Sequence, residues 1–254
     1  MINTLAAGCF HNVQFGLGQF KDYPISPFGN SDDYAYSRRA NIGPATTPAF
    51  PGGGNLTDFL KTLNGGGGAD LPEAQLAGLY QTATGAGQAI PGFPSASIPA
   101  GLQADWIPPT PPAVPGAPPI PPIFSGPNLK VVIIFTDDQF HRPGDPGTIP
   151  YPGPDFASTI AALNAKGIKV IGMQAGQGGS PFYLPQATAD LQAVAGGTGA
   201  IAPASGVDCL GDGTQVIASG QPLVCKLRLP ASAGGTGAAT AILNTVRALI
   251  KALP

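Results

Sequence analysis

Asp70-Leu71-Pro72-Glu73 follows the glycine run Gly65-Gly66-Gly67-Gly68 and precedes a helical pattern. A flexible loop of this kind brings two carboxylates and a proline-fixed carbonyl to the start of a helix. These are hard oxygen donors of the sort that divalent cations such as Ca²⁺ and Mg²⁺ take. A second stretch, Val131-Val132-Ile133-Ile134-Phe135-Thr136-Asp137-Asp138, is an apolar strand ending in carboxylates. Open α/β sheets bind ligands outside the carboxyl ends of their strands, so the two stretches together suggest a metal site at that edge of a parallel sheet. Plainer roles compete with this one. Asp137 and Asp138 could cap the turn after the strand. Asp70 and Glu73 could cap a helix and favour its dipole, alone or while also binding a cation. His141, in His141-Arg142-Pro143-Gly144, reads as a loop residue because no nucleophile stands near it to be activated. His11 reads as structural and Asp32-Asp33 as a solvated loop pair. No His or Cys cluster selects a softer metal.

Elements to position these residues follow from periodicity and punctuation. Residues 1 to 9 read as a helix tail closed near Gly8, with Cys9 a small core residue. Val13 to Phe20 alternates with aromatics at period two and reads as a strand, and Tyr34 to Arg39 reads as a short edge strand with its arginines facing water. Helices are expected at Leu56–Leu63 and Leu71–Thr82, the latter with Leu71, Leu76, Leu79 and Tyr80 on one face. The apolar run Lys130–Thr136 is a strand, followed by a helix over Phe156–Leu163 stopped at Gly167 and a strand over Ile168–Met173. A helix over Gln186–Ala195, a short strand within Gly199–Ala204 and an amphipathic helix over Ala238–Leu253 complete the order. Strands alternating with helices predict an α/β fold, doubly wound around a mainly parallel sheet of Val13–Phe20, Lys130–Thr136 and Ile168–Met173. Tyr34–Arg39 is expected antiparallel at one edge, and Lys130–Thr136 away from any edge.

The composition sets bounds. The 254 residues suffice for a sizeable core, only 10% are charged, and 37 Gly with 30 Pro exceed a quarter of the chain. Proline pairs concentrate in residues 90–128, an insertion that either wraps the domain in extended form or serves a partner as a polyproline ligand. Trp106, Ile107, Ile120 and Phe124 offer apolar anchors and favour the wrapping role. A net charge of −2 gives no electrostatic reason to expect nucleic acid. No apolar run approaches the ~20 residues of a bilayer crossing. Met1-Ile2-Asn3-Thr4 lacks the features of a signal peptide, so any export signal is expected outside this chain. Cys209 and Cys225 bracket the turn Gly211-Asp212-Gly213 within residues 205–230, which is either a disulfide-closed hairpin suited to an oxidising compartment or a pair of buried thiols.

Several of these segments, in this order, resemble a von Willebrand factor A domain, and within that superfamily the I-like domain of integrin β subunits. Phe15-Gly16-Leu17-Gly18-Gln19-Phe20-Lys21-Asp22-Tyr23-Pro24-Ile25-Ser26-Pro27 is similar to the family's second strand and the turn after it. Asp70-Leu71-Pro72-Glu73 resembles its Asp-Ser-Pro-Glu motif, and Ile134-Phe135-Thr136-Asp137 through His141 resembles its Phe-Thr-Thr-Asp-x-x-x-His segment. Lys166–Gly172 and Leu191–Gly199 fit the broader pattern. The resemblance implies a single domain over residues 1–254. It makes Glu73 a bridge between an adhesion-site metal and a neighbouring calcium. Asp22, Asp70 and the Pro72 carbonyl would hold that calcium, and Asp137 would lie near the adhesion-site metal. Gly68 stands where the family carries an asparagine ligand, and the family's Asp-x-Ser-x-Ser motif is missing. The missing motif implies an N-terminally truncated domain, with its first strand upstream of Met1 or on another chain, and a calcium position better formed than the adhesion position.

The function implied is a secreted or cell-surface adhesion or protein-interaction module, not an enzyme, bound to Ca²⁺ and/or Mg²⁺. Its partner would be a protein ligand or neighbouring subunit offering an acidic side chain to the metal. The alternative is a structural or assembly subunit that uses the fold as a scaffold.

Overall fold

The computed structural model describes residues 14–44, 70–101, 129–145, 149–176, 182–227 and 236–251. In chain order the elements are β1 (Gln14–Gln19), β2 (Ser37–Pro44), α1 (Gln75–Thr84), β3 (Lys130–Thr136), α2 (Phe156–Ala165), β4 (Ile168–Ala175), α3 (Pro185–Gly197), β5 (Val207–Asp208), β6 (Val216–Ile217), β7 (Val224–Leu227) and α4 (Thr236–Lys251). Local chemistry accounts for several boundaries. The Asp155 carboxylate accepts the Ser158 backbone N–H at 2.7 Å and so caps α2, while Gly85, in the left-handed region at φ 59°, closes α1. The expected helices at 56–63 and 1–9 lie outside the described residues, as do Cys9, His11 and the anchors Trp106, Ile107, Ile120 and Phe124.

The fold is mixed α/β, and among the described residues the parallel sheet has three strands in the order β3-β4-β7. Lys130 to Thr136 pair in unbroken register with Ile168 to Gln174, and Gly172 to Ala175 pair with Val224 to Leu227. Val170 through Gln174 are buried without interruption, so both faces of β4 are covered, as a parallel strand rich in Val and Ile demands. Helix α3 covers one of them: a Cβ on Gly172 would stand 3.0 Å from the Leu191 side chain. Leu163, Ile168, Ile171, Met173, Leu191, Leu223 and Leu227 form the centre of the main core.

Two expectations about the sheet are corrected. The strand expected at Val13–Phe20 does not join the parallel sheet; its described part, β1, pairs antiparallel with β2 in a separate ribbon. Its alternating exposure suits a ribbon with one covered face, and its glycines allow a close approach. A Cβ on Gly16 would lie 2.8 Å from Ile42, and one on Gly18 would lie 2.9 Å from the Tyr36 ring. The second correction concerns β3, which lies at an edge of the sheet among the described residues, with Phe135 45% exposed; the central strand is β4. The strand on the other side of β4 is β7, from the segment read as a hairpin. A short hairpin does exist there, β5 with β6, but Cys225 belongs to the sheet. The Cys209–Cys225 disulfide, with Cα atoms 5.8 Å apart, therefore ties the hairpin to the sheet.

Smaller shifts follow the same logic. The edge strand expected at Tyr34–Arg39 forms at Ser37–Pro44, with Tyr36 buried and Arg38 and Arg39 half-buried. The strand expected in Gly199–Ala204 reduces to one bridge between Ile201 and Pro222. At the start of the proline-rich insertion, Ile90, Ala96 and Ile98 are buried in a second apolar cluster with Tyr23, Ile25, Phe28, Tyr36 and Tyr151. The described part of the insertion, residues 90–101, thus packs against this cluster.

Candidate metal centre

Three segments far apart in sequence are stitched together by backbone hydrogen bonds beside β3. Ala74 N–H donates to Lys21 O at 2.9 Å, Glu73 N–H to Gln139 O at 3.0 Å, and His141 N–H to Glu73 O at 2.9 Å. Residue 73 thus lies between the segment after β1 and the segment after β3. Helix α1 starts only at Gln75, with Ala74 at its N-cap position and no side-chain cap, so neither Asp70 nor Glu73 caps it. Leu71, expected on the apolar helix face, is 56% exposed in the loop ahead of the helix.

The side chains delivered by this stitching form one group. His141 Nε2 lies 3.2 Å from Asp22 Oδ2 and 3.4 Å from Asp70 Oδ1, and its Nδ1 lies 2.9 Å from Asp145 Oδ2. Ligand atoms of Asp22, Asp70 and His141 all fall within 4.8 Å of one another, so the three could hold a metal ion. Asp22 and His141 are fully buried, whereas the Asp70 side chain is 33% exposed and opens the group to solvent. Close packing holds the buried members. Phe28 meets the His141 ring edge to face at 4.9 Å, and Tyr151 stacks on it at 5.7 Å. A Cβ on Gly29 would collide with the Tyr23 carbonyl oxygen and come within 3.0 Å of Asp22 Cβ, so only glycine lets the turn close behind Asp22.

The electrostatics are those of crowded carboxylates. Burial, then the charges of Asp22, Asp138, Asp33 and Asp137, push Glu73 up to about 8. Burial raises Asp70 to about 6 although His141 pulls it down, and burial also raises Asp22. Burial alone would favour a neutral His141 ring, but the hydrogen bond and charge of Asp22, aided by Asp145 and Asp70, outweigh it and raise the ring's pKa. The charges that raise Asp70 and Glu73 come from Asp22, Asp33, Asp137, Asp138 and Asp145, so seven of the chain's 14 acidic residues share one neighbourhood.

Of the residues named from sequence, Asp22 and Asp70 enter the three-residue group. Glu73 lies within electrostatic reach of Asp22 and Asp137 but outside that group, and Asp137 is exposed. Pro72 is half-buried between Asp70 and Glu73. Two readings are corrected. His141 is a fully buried member of the group rather than a plain loop residue, which puts an imidazole donor where only oxygen ligands were expected. Asp33 is buried, accepts the Asn30 N–H at 2.7 Å and lies 3.5 Å from Lys21 Nζ, so it is no solvated loop residue. The signal that could have found His141 was its place a few residues beyond a strand-terminal aspartate.

The chain matches no known protein family, no curated protein and no solved structure.

Proposed function

We propose that this chain is a metal-dependent protein-interaction module of the von Willebrand factor A type, in which a divalent cation on Asp22, Asp70 and His141 completes its shell with an acidic side chain of a partner. The observation that carries the reading is the group itself: two buried ligands, a third at the surface, and an exposed Leu71 beside it for a partner to cover. Convergence of this many carboxylates is costly without a positive charge, and a cation supplies it. The resemblance favours Ca²⁺ or Mg²⁺, and the imidazole extends the range to Mn²⁺ and Zn²⁺, which accept nitrogen readily. The disulfide supports a secreted or cell-surface location, and no described helix is long and apolar enough to cross a membrane.

A second reading rests on a different observation. Both His141 ring nitrogens face carboxylates and both of its neighbours Phe28 and Tyr151 press on the ring, so an imidazolium could itself be the positive charge of the cluster. The domain would then be a scaffold. Calorimetric titration with Ca²⁺, Mg²⁺, Mn²⁺ and Zn²⁺ separates the two. Metal-dependent interaction requires binding by the wild type that Asp70→Asn and His141→Ala weaken at least tenfold. Absence of binding for all four ions leaves the scaffold reading.

A further inference from the structure

His141 lies between two residues that are held from the opposite side by one carboxylate. Asp190, on α3 and almost fully buried, accepts the Phe140 backbone N–H through Oδ2 at 2.9 Å. It also accepts the Arg142 guanidinium, whose terminal nitrogen lies 2.7 and 2.8 Å from the two carboxylate oxygens, and the Gln186 amide at 2.8 Å. Helix α2 reinforces both anchors: Phe140 stacks on Phe156 at 5.8 Å with planes 8° apart, and the Arg142 guanidinium lies 5.4 Å from the same ring. Phe140 and Arg142 meet α2 and α3, while the His141 side chain between them meets Asp22 and Asp70.

We infer that Asp190 is a positioning residue of the metal centre: by clamping Phe140 and Arg142 to α3 it sets, together with the direct contacts of Asp145, Phe28 and Tyr151, where the His141 ring stands. The inference rests on the metal-binding reading for its affinity consequence, but the placement of the ring can be observed without any metal. Charge-assisted hydrogen bonds to a buried carboxylate are strong and geometrically selective, which suits Asp190 to this role better than apolar packing alone. Groups behind the ligands of a metal typically alter affinity 10–100-fold when removed.

The test uses the whole chain and Mn²⁺ as probe. Asp190→Asn keeps the shape and one acceptor but removes the charge. Arg142→Gln removes one arm of the clamp at a partly exposed position and serves if the first variant folds poorly. Leu191→Ala loosens the same helix through a buried apolar side chain that packs on Gly172 of β4. Mn²⁺ affinity is measured by calorimetry, and the His141 ring nitrogens are observed by ¹⁵N NMR in metal-free protein. The expected result is affinity at least tenfold weaker in Asp190→Asn, a smaller loss in Arg142→Gln, and displaced His141 ring signals in both. Leu191→Ala should unfold at lower temperature while keeping affinity within twofold and the ring signals in place. If the wild type binds no Mn²⁺, the metal reading fails and the ring signals alone decide. Ring signals in Asp190→Asn and Arg142→Gln that match the wild type, or affinity losses matched by Leu191→Ala, overturn the inference.

Discussion

Glu73→Gln isolates the electrostatic cost of the acidic cluster. Glu73 is partly buried beside Asp22, Asp138, Asp33 and Asp137, and its pKa rises from 4.5 to about 8. In the unfolded chain it releases its proton near the ordinary value. Below about 4.5 both states keep the proton and folding is not penalised. Between 4.5 and about 8 the unfolded state ionises while the folded state does not, so stability falls as pH rises and stays reduced above about 8. At about 1.4 kcal/mol per pH unit the full difference would be about 5 kcal/mol. Partial exposure and solvent screening bring the expected loss to about 1–3 kcal/mol. Glutamine has nearly the same shape and no proton to release, so the variant should lack this part of the decline. Urea unfolding followed by far-ultraviolet circular dichroism, in chelator from pH 4.5 to 9, should show the variant gaining about 1–3 kcal/mol on the wild type between the two ends of that range. Asp70 and Asp22, whose pKa values are also raised, contribute a decline of the same sign in both proteins. Stability curves that run parallel for wild type and variant would refute the reasoning.

Two further outcomes follow from particular contacts. Replacing Cys209 and Cys225 together by serine opens a loop spanning 16 residues and should cost about 3 kcal/mol in non-reducing urea unfolding; reduction of the wild type should reproduce the loss. Gly29→Ala should cost about 1–3 kcal/mol and weaken any measurable metal affinity, because the added methyl displaces the turn that carries Asp22; unchanged stability would show that the turn relaxes freely.

Much of the architecture is legible from local pattern, because a strand or helix is encoded by neighbours a few residues apart. The continuous apolar runs of β3 and β4, the helix stopped at Gly167 and the amphipathic C-terminal helix are written in periodicity and punctuation, and each forms close to where they place it. The cysteine pair was readable as one of two alternatives, but the glycine-rich turn sets Cys209 opposite Gln215, and it is the pairing of β7 with β4 that brings Cys225 to Cys209. Asp22 and Asp70 were legible as metal-ligand candidates through their motifs. Which strand pairs with which is another matter. The placement of β1 beside β2, and of β7 beside β4, depends on side-chain volumes meeting across the fold, including the space that Gly16 and Gly18 leave for Ile42 and Tyr36. The role of His141 is of the same kind: its partner Asp22 stands 119 residues away, and its orientation depends on Asp190 and Phe156, on helices that no local pattern connects to it. Local pattern was enough for β3, β4, the helices around them and the carboxylate-bearing loops, but not for β7, which was read as part of a hairpin. Tertiary packing decided which of those carboxylates gather around one buried imidazole, because only long-range contacts can desolvate them together.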